Sequence, residues 1–198
     1  MTEHYYSEEQ KSELNLKKIK SILRDNELDF WTGAGVFSGK KVDKGSELLA
    51  NDCIIEDNWK VLDLGCGYGP IGIAIAKAHP STSILMTDIN RRSVKISKMN
   101  IKLNKISNAS AVQGDMYKKA EGKLFDTILL NPPQTAGKEV CFKMIGLAKN
   151  FLKKGGLLQI VARHNKGGKS LSEKMKSVFN NLEEISKKSG YRIYVSKN

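Results

Sequence analysis

Cysteine is scarce in this chain of 198 residues, and what there is carries no pattern. Cys53, Cys66 and Cys141 are odd in number and far apart. That excludes a disulfide framework and a zinc site built on paired cysteines, so each is read as a small buried hydrophobe. Histidine is equally rare, and His4, His79 and His164 have no metal-ligand spacing. No metal is expected. His79 is read as closing a helix and His164 as solvent-exposed. Long apolar runs are missing as well; nothing approaches the roughly 20 residues that a membrane-spanning helix needs. The opening Met1-Thr2-Glu3-His4-Tyr5-Tyr6 is polar and acidic, unlike a secretory signal, so a cytoplasmic location is expected. There is no internal repeat and no Pro/Ser linker. Length and a hydrophobic content of 40% fit one globular domain. A monomer is expected.

Acid is the other shortage. Against 33 Lys/Arg stand 21 Asp/Glu, a formal net charge of +12. Residues 143–198 hold 13 Lys/Arg and three acids, Glu173, Glu183 and Glu184. A polyanionic partner is the natural reading, since lysines and arginines near phosphates release condensed counterions. Scattered solvated lysines are the bland alternative.

Hydrophobic periodicity gives the elements. Residues 7–24 carry a partial apolar stripe (Leu14, Leu16, Ile19, Ile22, Leu23) and are expected to be helical. Residues 28–32 read as a strand and 43–53 as a helix. From residue 60 onward strands and helices alternate. Strands are expected at 60–64, 83–88, 109–113, 125–130, 157–162 and 191–195. Helices are expected at 70–78, 92–104, 138–153 and 171–179, the third of these ended by Gly155-Gly156. Alternation of this kind predicts an α/β fold: a Rossmann-like, mostly parallel sheet with helices on both faces. Residues 1–34 form an N-terminal extension and 35–198 the main domain. Ligands of such sheets bind beyond the carboxyl ends of the strands, so informative residues belong just after each strand.

They are there. The strand at 60–64 runs into Asp63-Leu64-Gly65-Cys66-Gly67-Tyr68-Gly69-Pro70-Ile71-Gly72. Glycines allow a sharp turn and close approach of a ligand to the backbone. Gly67 to Gly72 also fits Gly-x-Gly-x-x-Gly, so a dinucleotide is a formal rival. Asp63 argues against it: a carboxylate there suits a cationic ligand or orients the loop, and offers nothing to a pyrophosphate. Asp88 lies 19 residues after Gly69, where a carboxylate accepts from both hydroxyls of a ribose; capping of the next helix by Asp88 or Asn90 is the structural alternative. Asp115 follows the third strand of the series and can accept from an adenine amino group, with Met116 beneath the ring. The fourth strand ends in Asn131-Pro132-Pro133-Gln134. Two prolines stiffen the backbone and remove N–H groups, leaving carbonyls and the Asn131 side-chain oxygen as acceptors for a planar exocyclic amine. Orientation and electrostatics, rather than a strong base, would then activate the amine nitrogen.

In this order the motifs resemble the class I S-adenosylmethionine-dependent methyltransferases, and within them the "methyltransferase small domain" group. Gly35-Val36-Phe37-Ser38, followed by Val42-Asp43-Lys44-Gly45-Ser46-Glu47-Leu48-Leu49, resembles the segment with which that domain begins. The group includes small-subunit ribosomal RNA guanine-N2 methyltransferases and archaeal relatives. The resemblance implies S-adenosylmethionine as cofactor, held by Asp63, Gly65, Gly67, Gly69, Asp88, Ile89, Asp115, Met116 and Asn131. It implies Asn131, Pro132 and Pro133 as the catalytic site for an exocyclic amine, guanine N2 of ribosomal RNA (or of tRNA) first. Phe37 and Ser38 would lie at the mouth. Phe37, Gln134, Arg163, Lys166 and Lys169 are the expected substrate contacts, the last three through phosphates. Many relatives carry Tyr or Phe where this chain has Gln134, which tilts the reading away from adenine-N6 and protein glutamine-N5 methylation without removing them. An RNA-binding module with a vestigial cofactor site is the non-enzymatic alternative. Gly167-Gly168-Lys169-Ser170 imitates a phosphate loop, but Arg163 stands where the first glycine is required.

Overall fold

The computed structural model describes residue 8 and residues 13–198. Its centre is β3 (Lys60–Leu64), whose Val61, Leu62, Asp63 and Leu64 are all buried because the strand is covered on both faces. Around it β4 (Ser83–Asp88), β5 (Ala109–Gln113), β6 (Phe125–Leu130) and β7 (Leu152–Arg163) run parallel. β8 (Glu183–Lys188) and β9 (Tyr191–Lys197) complete the sheet as an antiparallel hairpin. The order is β5-β4-β3-β6-β7-β9-β8. The chain steps outward from β3 to β4 and β5, then returns to β6 on the other side. That reversal opens a crevice above the ends of β3 and β6.

Helices cover both faces. On one side lie α1 (Lys44–Asp52), α2 (Pro70–Ala78) and α3 (Arg91–Leu103); on the other lie α4 (Lys138–Ala148) and α5 (Lys169–Phe179). α2 is buried from Pro70 to Ala76 because a further layer lies over it. That layer is a two-stranded sheet, β1 (Lys17–Leu23) with β2 (Asn26–Thr32). Leu23, Leu28 and Phe30 enter the same core as Ile71 and Ile75. Asn100 of α3 grips the backbone of Trp31 at both its N–H and its carbonyl (2.7 and 2.9 Å). At the hairpin tip Arg24 donates from Nε to the Ala50 carbonyl at the end of α1 (2.6 Å), a cation on a helix C-terminus. The β1–β2 hairpin, residues 17–32, therefore shares the main core.

Two expectations are corrected, and one strand that was not expected appears. Residues 17–23 form a strand, not the end of a helix; alternating exposure along Lys18, Ile19, Lys20, Ser21 and Ile22 shows a period of two. The earlier part of that expected helix, like His4, lies largely outside the described residues. α4 stops at Ala148, and Gly155-Gly156 lie inside β7. A Cβ on Gly156 would stand 3.0 Å from the carbonyls of Phe125, Asp126 and Lys153, and the β6–β7 register shifts beside it. The pair serves a bulge rather than a helix end. β8 is that strand; its polar Glu183-Glu184 and Lys187-Lys188 hide it at the sheet edge.

Candidate active site

One cavity of about 530 Å³ opens at the carboxyl ends of β3, β4 and β6, within the range of small-molecule sites. Its first half is backbone. The N–H groups of Gly65 and Cys66 both donate to the Thr87 carbonyl (2.8 and 2.9 Å), folding the loop over the neighbouring strand. Gly65 (φ +76) and Gly67 (φ +58) sit in the left-handed region, and a Cβ on either would meet nothing within 4 Å. The space beside them belongs to the cavity. Asp88 closes this half: Oδ2 accepts from Gly67 N–H and Oδ1 from Asn90 N–H, each at 2.8 Å. Burial pushes its carboxyl up to about 6, against the pull of those two N–H groups. Ile89, Asp115 and Met116 continue the wall. Two hydroxyls at the wall, Tyr68 Oη and Thr87 Oγ1, are buried and have no hydrogen-bond partner. Orphan buried hydroxyls are costly, and a polar ligand in the cavity would relieve them.

Side chains build the other half. Asn131 directly follows β6, and its Nδ2 donates to Ser46 Oγ (2.9 Å) and Asp43 Oδ2 (3.2 Å). Asp43 is also the N-cap of α1, accepting from the N–H groups of Gly45 and Ser46. A carboxylate accepts only, so it must face the amide nitrogen. The Asn131 side-chain oxygen is therefore left for a ligand. Tyr191 lines the same wall; burial raises its phenol, and the charge of nearby Asp43 pushes it the same way. The Arg163 guanidinium lies 5.4 Å from the Tyr191 ring centre, a cation–π distance. A Cβ on Gly45 would come within 2.9 Å of the same ring, so glycine there lets Tyr191 close on α1. Pro133 gives its carbonyl to Ala136 N–H (2.8 Å), and Pro132 and Pro133 both line the cavity.

The cavity brings together Gly65, Gly67, Asp88, Ile89, Asp115, Met116, Asn131, Pro132, Pro133, Phe37, Ser38 and Arg163. Four expected residues are not at its wall. Asp63 is buried behind the loop and accepts from Gly72 N–H (3.0 Å); desolvation raises its carboxyl to about 7. Its bond to Gly72 ties the end of β3 to the first turn of α2. Gly69 faces the core, where a Cβ would strike Met86 Cε at 2.5 Å. Lys166 and Lys169 are exposed beyond Arg163, on the turn leading into α5. Gln134 starts the short 3-10 turn after the prolines, and its side chain, the expected substrate contact, lies outside the described structure. His79 does close α2, its N–H bonded to the Ile75 carbonyl. His164 is half-buried against the Tyr194 hydroxyl (2.7 Å) instead of exposed. All three cysteines are free and buried, and burial raises every thiol. Sequence reasoning missed Ser46, Tyr191 and the bond from Asp43 to Asn131. Asp43 and Ser46 carried a signal, since they read as a helix cap; Tyr191 carried none.

Residues 27–195 match the family model of the methyltransferase small domain. An uncharacterized protein of Bacillus subtilis, YbxB, is 38% identical over the whole chain and 99% of its own length. Ribosomal RNA small subunit methyltransferase C of Haemophilus influenzae is 30% identical over 98% of this chain, which spans 60% of that relative's length. Among solved structures, the T. thermophilus 16S rRNA N2 methyltransferase RsmC, in complex with AdoMet and guanosine, superposes with a TM-score of 0.79 at 22% identity. That match covers 94% of this chain and 51% of the other. It supports the fold.

Proposed function

The chain belongs to the methyltransferase small domain family, and from that premise we propose that it transfers the methyl group of S-adenosylmethionine to guanine N2 of a structured RNA, ribosomal RNA first. One observation carries the reading: the Asn131 amide nitrogen is committed to Asp43 and Ser46 beside the glycine cradle. Its oxygen is thereby presented as a fixed acceptor for an exocyclic N–H. The cofactor fits the residues present. The open side of Gly65 and Gly67 admits it, Asp88 suits its ribose hydroxyls, Asp115 and Met116 suit its adenine, and Tyr68 and Thr87 offer unpaired hydroxyls. When bound, it supplies a sulfonium methyl group that a nitrogen lone pair can attack directly.

The residues of the chain then orient the amine. Asn131 Oδ1 and the Pro132 carbonyl each accept one N–H, which holds the NH2 group and favours the lone pair as the nitrogen turns tetrahedral. Nothing here requires a strong base. Phe37 at the wall offers an apolar face to the target base, which must leave any stack to enter. The basic surface and the ribosomal RNA methyltransferase relatives support RNA as the partner. The test is mass spectrometry of nucleosides from total RNA incubated with the protein and labelled cofactor. N2-methylguanosine is expected. N6-methyladenosine would move the target to adenine. Label found only on glutamine of added protein substrate would overturn the nucleic-acid reading.

A further inference from the structure

The outer face of α3 is a row of cations without an acid. Arg91, Lys95, Lys98 and Lys102 recur at steps of four, three and four residues. At about 100° per residue they fall on a single stripe about 60° wide. The buried residues Ser93, Ile96, Ser97 and Asn100 occupy the opposite face, and buried Val94 lies at its flank. Lys95, Lys98 and Lys102 are exposed, and among the described residues none of them has an ion pair. No Asp or Glu occurs from Ile89 to Gly114. Some cations elsewhere are paired with acids, as in Lys118–Asp115, Lys153–Asp126, Lys188–Glu47 and Arg192–Glu184; residues 143–198 are the other acid-poor stretch.

This helix breaks two local rules. Like charges one turn apart repel. Cations at the start of a helix oppose its dipole, and Arg91 opens this one. A face that only needed solvation would be better served by mixed Glu and Lys. Local rules broken without local gain mark functional surfaces, and a bound polyanion removes both penalties.

Position supplies the second argument. Asn90 caps α3 and Ser93 lines the cavity. Asn90 Nδ2 and Arg92 Nη1 donate to the carbonyls of Gly35 and Ala34 (3.0 and 2.8 Å), in the segment that leads to Phe37. The stripe therefore starts at the cavity rim and runs away from it for about 16 Å, rising about 4.5 to 6 Å per cation. That step is on the scale of successive backbone phosphates.

We propose that the α3 stripe is the track for the RNA phosphate backbone flanking the target nucleotide. The proposal rests on the RNA reading above and adds where the strand runs. Its test is fluorescence anisotropy with a labelled single-stranded RNA of about 30 nucleotides, from about 50 to about 200 mM salt. The triple variant Lys95→Gln, Lys98→Gln, Lys102→Gln is expected to bind at least about tenfold more weakly. Its log–log salt slope should fall by about 2, near 0.7 per lost phosphate contact. Lys154→Gln, Lys176→Gln, Lys187→Gln removes three exposed charges elsewhere and should change the slope by less than half as much. The melting temperature of the α3 Gln triple guards against misfolding. It should be no lower than that of wild type, because the repulsion between the lysines is gone. An equal effect from the two Gln triples, or an α3 triple with wild-type slope and affinity, overturns the track. RNA binding through α3 without any methyl transfer would leave the track standing and sink the methylation reading. Methylated RNA with an unchanged KM in the α3 triple would do the reverse.

Discussion

The two ends of the cavity are built in different ways. At the glycine end, consecutive residues of two neighbouring strands do the work: the Gly65, Cys66 and Gly67 N–H groups bond to Thr87 and Asp88. Backbone geometry makes the cradle, and only two carboxylates and two orphan hydroxyls decorate it. At the Asn131 end four separate elements meet. The amide is held from α1, 85 to 88 residues earlier in the chain, and Tyr191 arrives from β9 near the C-terminus. A backbone cradle tolerates changes of side chain; a relay of side chains does not. In this fold the holding of the methyl donor is thus generic, and the choice of target can diverge through a few positions.

The sharpest way to break this division is to remove one side chain from each end. Asn131→Ala should lower kcat by about 10² to 10³, the loss typical of a lost electrostatic contact in the transition state. Cofactor affinity, measured by calorimetry, should stay within about threefold. A matching fall in cofactor affinity would mean that the ends are not separable. Asp88→Asn should do the opposite. It should weaken cofactor binding by about 10 to 100-fold, from the loss of about 1.5–3 kcal/mol of charged hydrogen bonding, with kcat recovered at saturating cofactor. The apo protein should melt at the same temperature or higher at pH 8, because the buried charge is gone.

Protonation tests the same asymmetry without mutation. Asp88 and Asp63 have folded values of about 6 and about 7, above the ordinary 3.8, with desolvation as the main cause. A group raised in this way binds protons more tightly in the folded state. Its stabilising contribution is complete below the unfolded value and is lost as pH rises through the folded one. Apo stability from these two groups should therefore decline between about pH 4 and pH 7. Cofactor affinity should run the other way, falling about tenfold from pH 7 to pH 5 as the Asp88 carboxylate is protonated. A flat calorimetric profile would remove Asp88 from the ribose contact.

The same division explains what could be read in the sequence. The parallel strands from β3 to β7 and their order of motifs were legible because each is a short buried run followed at once by its functional residues. Gly65, Gly67, Asp88, Asp115 and Asn131 lie at the cavity for that reason. β1 was misread because Leu14, Leu16, Ile19, Ile22 and Leu23 also satisfy a helical period, and only pairing with β2 decides between the two. Gly69 and Lys166 show the limits of motif reading: the first serves packing against Met86, the second projects past the rim. Asp43 was legible as a helix cap. That the same carboxylate reaches Asn131 depends on how α1 docks beside the sheet, which no local pattern encodes.

That double duty yields the smallest and most discriminating prediction. Asp43 caps α1 and fixes the Asn131 amide through one oxygen. Asp43→Ala loses both roles. It should cost about 1 kcal/mol of stability in thermal or denaturant unfolding, the usual cost of a lost cap, and lower kcat by about tenfold as the amide turns. Asp43→Asn keeps a capping oxygen, so stability should return to within about 0.5 kcal/mol of wild type. It cannot offer Asn131 a carboxylate, so kcat should stay about threefold low. Ser46→Ala removes the remaining acceptor of the Asn131 nitrogen and should cost no more than that. Through all three the cofactor Kd should hold, because nothing at the glycine end touches Asp43 or Ser46 by hydrogen bond. If Asp43→Asn restored kcat along with stability, Asp43 would be a helix cap and nothing more. The side-chain end would then rest on Asn131 and Ser46 alone.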